Sequence, residues 1–208
     1  MNAQSRRGEL TGAAGRIETL RDEPSDGAAS RGLAVIAHPH PLFGGTMDNK
    51  VVQTLARAFV QCGWTALRFN FRGVGASEGV HDAGGGETDD LLALLRQAGG
   101  RPFALAGFSF GAFVASRALA ASASGQQPEK VVLVGTAVAR FAVPPVAAGL
   151  HPRTLVVHGE QDDTVALQSV MDWARPQSLP VTVIPGCGHF FHGQLPLLKQ
   201  LVVRHLSS

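Results

Sequence analysis

The stretch of sequence that decides the fold is PFALAGFSFGAFVASRALAA, residues 102–121. It opens with the apolar run FALAGF, which lacks polar alternation and therefore predicts a strand covered on both faces. The segment after Gly111 favours a helix, so the strand would pass through GFSFG directly into that helix. Gly107 and Gly111 carry no side chain that could collide in so sharp a turn. This arrangement is typical of a nucleophile elbow and makes Ser109 the candidate nucleophile.

The same Gly-x-Ser-x-Gly pattern occurs a second time, as GASEG at residues 75–79. It is followed by VHDAGGGE, which we do not expect to form a helix, and Gly84–Gly86 is predicted to be a surface loop. An elbow needs a helix directly after its serine. Ser77 is therefore predicted to make loop or capping hydrogen bonds instead.

Outward from the Ser109 turn, short apolar runs alternate with segments of helical periodicity. This alternation indicates right-handed crossovers, and the predicted fold class is α/β: a mostly parallel, doubly wound sheet flanked by helices. An amphipathic hairpin is expected over residues 8–24, at the edge of the sheet. Helices are predicted from Asp48 to Gly63, from Thr88 to Gly99, after Ser109, from near Asp163, and from Gln194 onward. The runs predicted as strands are LAVIA (33–37), TALRFNF (65–71), FALAGF (103–108), VVLVG (131–135), TLVVHG (154–159) and VTVIPG (181–186).

A serine hydroxyl needs a base within hydrogen-bond reach and a carboxylate that orients the base. In an α/β sheet with an elbow serine, the chain order is Ser, then Asp or Glu, then His. The sequence GCGHFF follows the last apolar run and makes His189 the first candidate for the base, with His192 as its competitor. We expect His158 to be a structural residue at the end of its strand, and His81, His151 and His205 to be solvated.

The carboxylate is sought in HGEQDDTV, residues 158–165, which also follows an apolar run. Asp163 is well placed to cap a helix beginning at Thr164, which leaves Asp162 for the triad. A slip of one residue to Asp163 stays open, and Glu160 is a weaker third candidate.

Ester or amide cleavage develops negative charge on the carbonyl oxygen, which backbone amides can stabilise. One donor is expected from the residue after the nucleophile, Phe110. The second should come from the loop HPHPLFGG, where Pro39 and Pro41 have no amide proton, so the backbone of His40 is predicted to donate. The His-x-His pair of this loop lacks a third ligand cluster in the sequence, so no metal site is expected.

The substrate pocket is expected to be shallow and lined by Phe43, Phe108, Phe110 and Phe190. Only Ala137–Arg153 separates VVLVG from TLVVHG. A segment of this length can form a lip or a short lid but not a cap domain. Short acyl chains are therefore the expected substrates.

The charge and composition of the chain indicate which partners and which cellular location to expect. A net charge of +2, from 18 basic and 16 acidic scattered residues, gives no electrostatic footprint for nucleic acid or for a membrane surface. The sequence has no apolar run behind its N-terminal arginines, so we expect a cytoplasmic protein, with Cys62 and Cys187 as reduced thiols. Residues 1–208 are expected to form one domain. The expected partner is a small-molecule ester, and a homodimer stays open.

Together, HPHPLFGGTMDNKVV, FNFRGVGASEG, GFSFG, HGEQDDTV and GCGHFF resemble the small bacterial cap-less hydrolases of the α/β-hydrolase superfamily. The resemblance extends over about residues 33–192. It implies a compact sheet with flanking helices, a triad of Ser109, Asp162 and His189, and an oxyanion loop from His38 to Gly45. It also implies esterase-like activity without a metal or an organic cofactor.

The leading hypothesis from the sequence is a carboxylic-ester hydrolase that acts through a covalent acyl-enzyme. Thioesterases and peptidases use the same machinery, so both remain alternatives. A nucleotide-binding module would need a glycine-rich phosphate loop after an early strand. Neither of the two common patterns, G-x-G-x-x-G and G-x-x-x-x-G-K-[ST], occurs in this position. A catalytically silent binding protein on the same scaffold would usually have lost a triad residue, whereas all three are present.

Overall fold

The protein is described by a computed structural model over residues 5–24, 29–97, 99–122 and 125–208. The N-terminal residues 1–4, on which the expectation about a leader segment partly rests, lie outside this description. The strands are β1 (Ser5–Gly12), β2 (Gly15–Asp22), β3 (Leu33–Ala37), β4 (Thr65–Phe69), β5 (Phe103–Phe108), β6 (Lys130–Val134), β7 (Thr154–Gly159) and β8 (Val181–Ile184). The α-helices are α1 (Lys50–Gln61), α2 (Gly85–Arg96), α3 (Phe110–Ala121), α4 (Leu167–Ala174) and α5 (Leu195–Ser207).

These strands form one sheet in the order β1-β2-β4-β3-β5-β6-β7-β8. From β4 to β8 every neighbouring pair is parallel, while the β1–β2 hairpin joins the edge of β4 in antiparallel fashion. The predicted fold class and edge hairpin are confirmed. The sequence runs for β3, β5 and β7 match the strands residue for residue, and the other three differ by at most two residues at an end.

Helices cover both faces of the sheet because successive strand residues point to opposite sides. Ala34 and Ile36 pack on the face of α1 and α5, whereas Val35 and Ala37 pack on the face of α2, α3 and α4. Strands buried on both faces need apolar residues at every position, which explains the continuous apolar runs. All parallel strands deliver their carboxyl ends to one edge, where the loops that follow them meet.

Three helices, α1, α2 and α4, begin elsewhere than the sequence predicted. Helix α2 begins at Gly85 and not at Thr88, because the buried Glu87 carboxylate accepts hydrogen bonds from the amides of Asp82 (3.0 Å) and Gly84 (2.8 Å). The prediction of a surface loop over Gly84–Gly86 is therefore wrong. Helix α1 is capped by Asn49, whose side chain accepts from the Val51 amide at 2.9 Å, and not by Asp48.

The segment between β6 and β7 forms no cap domain. Phe141 stacks on Phe113 of α3, with ring centroids 4.6 Å apart, and Val146 and Leu150 are buried. The segment thus packs down beside the carboxyl edge of the sheet as a low wall. Within the described residues, no helix is both long enough and apolar enough to cross a membrane.

Candidate active site

The Ser109 turn joins β5 to α3 without an intervening loop. Ser109 adopts φ 55° and ψ −115°, a strained conformation for a residue with a side chain. Its amide donates to Val134 O at 2.8 Å, which ties the turn to β6. A Cβ on Gly107 would lie 2.3 Å from Gly111 O, and one on Gly111 would lie 2.3 Å from Ala37 O. Only glycine permits this approach of backbone to backbone.

His189 lies over this turn and contacts both other predicted triad residues. Its Nε2 is 3.0 Å from Ser109 Oγ, and its Nδ1 is 2.7 Å from Asp162 Oδ2. The imidazole is buried and packs against the rings of Phe108 and Phe190, with centroids 5.0 Å and 5.1 Å away. The structure therefore brings the three predicted residues into one hydrogen-bonded chain.

Asp162 uses its two carboxylate oxygens for different purposes. Oδ1 accepts from the amides of Thr164 (2.9 Å) and Val165 (2.7 Å), which leaves Oδ2 for His189. Burial opposes ionisation of Asp162, but the hydrogen bonds from His189 and the Val165 amide outweigh it and hold the pKa of Asp162 below its ordinary value of 3.8. The carboxylate is thus charged at neutral pH and held rigidly against the imidazole.

The predicted capping role of Asp163 is wrong. Asp163 is exposed, and its Oδ1 contacts only the hydroxyl of Thr164, at 3.3 Å, among the described residues. The amides that it was expected to hold are held by Asp162, and α4 begins at Leu167, beyond this turn. Glu160, the third candidate, accepts from the Gly186 amide at 2.8 Å and stays outside the triad geometry.

The other histidines are placed as follows. His158 lies near the end of β7, as predicted, and is buried, with Nε2 2.8 Å from Val165 O and 3.4 Å from Asp162 Oδ2. His192, the competitor of His189, is exposed. The prediction that three histidines are solvated is wrong, because all three are partly buried: His151 contacts Val146 O, His205 contacts Arg153 O, and His81 lies against the ring of His40.

The two predicted oxyanion donors are the amides of His40 and Phe110. Neither amide has a hydrogen-bond acceptor in the ranges that the structure describes. Phe110 opens α3, where the first amides point out of the helix. The His40 carbonyl accepts from the amides of Phe43 and Gly45, each at 3.1 Å, which closes the loop into a tight turn. Both donors therefore lie at the carboxyl edge of the sheet and line the same cleft as Ser109.

His38 fixes this loop in a way that the sequence reasoning missed. Its Nδ1 is 2.6 Å from Pro39 O, and its Nε2 accepts from the Phe71 amide at 2.9 Å. Complete burial lowers the pKa of His38 to about 3, so the ring is neutral at physiological pH. Both nitrogens are engaged within the chain. The available signal was the position of His38 directly after the run LAVIA, at the beginning of the predicted oxyanion loop.

A cleft of about 340 Å³ opens beside Ser109. Phe43 and Phe190 stand at its mouth with 73% and 47% of their surface exposed. The prediction that Phe108 lines the pocket is wrong, because this ring is fully buried in the core beneath His189. The residues that line the cleft are Pro39, His40, Phe43, Gly44, Gly45, Asn49, Ser109, Phe110, Ala137, Arg140, Phe141, Thr164, Val165, His189 and Phe190.

The chain was compared with protein-family models and with solved structures, and both comparisons found similar proteins. A family model described as serine aminopeptidase, S33, matches residues 30–154, which include Ser109 and end before Asp162. An α/β serine hydrolase without lid from Xanthomonas campestris is 34% identical over 100% of this chain and 95% of its own, with a TM-score of 0.86. An α/β serine hydrolase homologue from Coxiella burnetii is 38% identical over 97% of each chain, with a TM-score of 0.83.

A curated relative covers less of the chain. An uncharacterized protein of Rickettsia prowazekii (strain Madrid E) is 40% identical over 111 residues, which are 51% of this chain and 46% of that protein. The match thus spans less than half the length of that relative.

Proposed function

The chain belongs to the α/β serine hydrolases, and from that premise we propose that it cleaves carboxylic esters of small molecules through a covalent acyl-enzyme. The observation that carries the proposal is the chain of hydrogen bonds from Asp162 through His189 to Ser109, at 2.7 Å and 3.0 Å. A serine hydroxyl is a weak nucleophile unless a base removes its proton during attack. Here a base lies within reach, and a carboxylate orients it.

In the acylation step, Ser109 Oγ attacks the ester carbonyl carbon while His189 Nε2 takes the hydroxyl proton. Asp162 remains ionised and accepts a hydrogen bond from the Nδ1–H group of His189, so that Nε2 is free to act as the base. The tetrahedral intermediate then collapses: the bond to the leaving oxygen breaks, and His189 returns the proton to the departing alcohol. The acyl group stays on Ser109.

In the deacylation step, a water molecule attacks the acyl carbon and gives its proton to His189. The Ser109–acyl bond breaks, His189 protonates Ser109 Oγ, and the carboxylic acid leaves. In both steps the negative oxygen would be stabilised by the amides of His40 and Phe110. Amides without an internal acceptor can donate to the oxyanion without a competing bond being broken.

The charge of the cleft supports an ester over an aminopeptidase substrate. An aminopeptidase must receive a positively charged amino terminus, for which a carboxylate near the nucleophile is the usual partner. Among the described residues that line this cleft, none is acidic, and Arg140 contributes a positive charge. A substrate with a free amino group would therefore be repelled.

The shape of the cleft supports short acyl chains. A site of about 340 Å³ with a wide mouth has little apolar wall to surround a long chain. Each further methylene should then contribute only part of the roughly 0.8 kcal/mol available on full burial. Acyl chains of about two to six carbons are the expected range.

The experiment has two parts. A fluorophosphonate is incubated with the protein, and the labelled residue is identified by mass spectrometry; label on Ser109 supports the proposal, and its absence contradicts it. Then kcat/KM is measured for p-nitrophenyl esters of two to twelve carbons, for matched thioesters and for aminoacyl p-nitroanilides. The highest value should fall on the short esters. Faster turnover of thioesters or anilides would replace the ester assignment, and a steady rise to long chains would contradict the shallow cleft.

A further inference from the structure

Arg140 is a positively charged residue in the cleft that has no part in the proposed mechanism. Arg140 lies just after β6, where its amide donates to Ala137 O at 3.2 Å. Its side chain lines the cleft with the guanidinium 5.7 Å from the centre of the Phe43 ring. Arg140 is exposed, and within the described ranges it has neither an ion pair nor a side-chain hydrogen bond. Its five N–H donors are therefore available to a ligand.

The remaining lining residues do not neutralise this charge. None of those described is Asp or Glu, and the carboxylate of Asp162 is already committed to His189 and to two backbone amides. Burial, helped by the positive fields of His81 and Arg140, lowers the pKa of His40, so its ring adds no charge at neutral pH. Arg140 is thus the one fixed charge on the described wall of the cleft.

Resting on the proposed ester hydrolysis, we propose that Arg140 is a specificity-determining residue that selects esters bearing a carboxylate remote from the scissile bond. A guanidinium binds a carboxylate through two parallel N–H···O bonds, and stacking on an aromatic ring helps to hold its plane in place. Phe43 and Phe141 line the cleft beside it and offer apolar contact to a short spacer. The chemical class is a small ester with a second, ionised carboxyl group.

The carboxylate could belong to the acyl part or to the alcohol part, and matched substrates distinguish the two. For the acyl part, 4-nitrophenyl hydrogen adipate is compared with its terminal amide. For the alcohol part, 4-acetoxybenzoate is compared with 4-acetoxybenzamide. In one of the two pairs, kcat/KM should be about tenfold higher for the carboxylate, as expected for a charge-assisted bond at an exposed site, and the ratio should fall as salt is added. A ratio of one in both pairs overturns the proposal.

Two variants assign the preference to this residue. In Arg140→Gln, the ratio of carboxylate to amide kcat/KM should fall from about ten to about one, mainly through KM. Arg204→Gln removes the same charge from an exposed position on α5 that does not line the cleft, and it should keep the ratio of the unmodified protein. An equal fall in both variants would indicate a general field effect and would overturn the role of Arg140.

A binding measurement separates this inference from the proposed hydrolysis. If neutral esters are cleaved as fast as their carboxylate counterparts, the proposed hydrolysis stands and only the inference about Arg140 is overturned. If no ester is cleaved, calorimetry with the Ser109→Ala protein still tests Arg140. The uncleaved amide 4-acetamidobenzoate should bind about tenfold more tightly than 4-acetamidobenzamide, and Arg140→Gln in the same background should abolish the difference. The same comparison for the acyl part uses adipic acid monoanilide and its terminal amide, and equal affinities in both pairs would overturn the inference.

Discussion

The loops GFSFG, residues 107–111, and GASEG, residues 75–79, share a sequence pattern but differ in what their glycines are for. In GFSFG, a Cβ on either glycine would meet backbone atoms at 2.3 Å, so glycine allows two backbone segments to touch. In GASEG, Gly75 and Gly79 have φ of 57° and 86°, so glycine allows a left-handed turn. One pattern therefore arises from two different physical requirements.

The two serines differ in their backbone conformation and in the partners of their hydroxyl groups. Ser109 has a strained backbone, and its hydroxyl is directed at an imidazole. The Ser77 hydroxyl donates to Asn70 O at 2.7 Å and accepts from the Glu18 amide at 2.9 Å, so its hydrogen-bonding capacity is used within the fold. Reactivity is thus expected only where the surroundings leave the oxygen free for a base.

The GASEG loop nevertheless supports the site. Ser77 holds the carbonyl of Asn70, and the Asn70 side chain accepts from the Met47 amide at 2.9 Å, just beyond the oxyanion loop. The next residue, Phe71, donates its amide to His38 at the beginning of that loop. One glycine-serine loop thus carries the proposed nucleophile, and the other anchors the loop that carries a proposed oxyanion donor.

Replacement of each serine by alanine gives the largest expected difference in activity between the two loops. Ser109→Ala should lower kcat by about a millionfold, because removal of a triad serine leaves only binding and oxyanion stabilisation. Ser77→Ala should keep its activity within a few-fold and lose about 1–3 kcal/mol of unfolding free energy, since buried partners are left unsatisfied. Ester turnover and urea unfolding measure the two effects. An inactive Ser77→Ala protein that is fully folded would mean that GASEG takes part in the chemistry.

The two adjacent aspartates test whether Ser109 depends on its oriented base. Asp162→Asn should lower kcat about ten-thousandfold, because the imidazole loses the partner that fixes its tautomer. Asp163→Asn is the matched control and should stay active, since its exposed carboxylate contacts only the Thr164 hydroxyl among the described residues. Turnover of a short ester measures both. Similar activity of the two variants would contradict the triad geometry.

The glycines of the two loops test the difference in backbone requirement. Gly107→Ala should lower kcat at least about a hundredfold, because a Cβ that clashes with backbone must displace Ser109 and misalign the attack. Gly75→Ala would meet only the side-chain ends of Glu18 and Asn70 and should cost about 1–2 kcal/mol of stability through its left-handed backbone. Circular dichroism first establishes that each variant is folded. Equal kinetic losses would mean that both loops constrain the nucleophile.

The last comparison concerns His38 and stability in acid, where the expected change is spread over several pH units. Its pKa of about 3 in the folded protein lies below the ordinary 6.5, so below pH 6.5 the unfolded chain binds a proton that the folded chain excludes. The unfolding free energy should therefore fall with decreasing pH between about 6.5 and 3, by up to about 1.4 kcal/mol per pH unit. Urea unfolding from pH 7.5 to 4.5 measures the slope.

The variant His38→Gln is the control for that slope. It should be less stable at neutral pH, because the bonds to Pro39 and Phe71 are weakened, but its stability should depend less on pH. A flat profile in the unmodified protein, or an unchanged slope in the variant, would show that His38 is not the titrating group that links the two loops.

Sequence reasoning reached the strands more accurately than the helix starts. Strand limits follow from continuous burial, which the apolar runs show directly. Helix α4 begins later than expected because Asp162, and not Asp163, holds the intervening amides, and a choice between adjacent carboxylates depends on where each side chain points. Phe108 was misplaced although the period of a strand puts it on the same face as Ala104 and Ala106, within the core.

The sequence by itself determined the α/β sheet, the elbow turn at Ser109 and the order of the three candidate catalytic residues, because each depends on local periodicity, on glycine and on position after a strand. Only the tertiary structure decided which oxygen of Asp162 meets His189, why His38 is neutral, and that Arg140 lines the cleft with no ion pair or side-chain hydrogen bond to any residue that the structure describes. These properties arise between residues far apart in the chain, where burial and distance set the charge and the hydrogen bonds, and no local pattern encodes them.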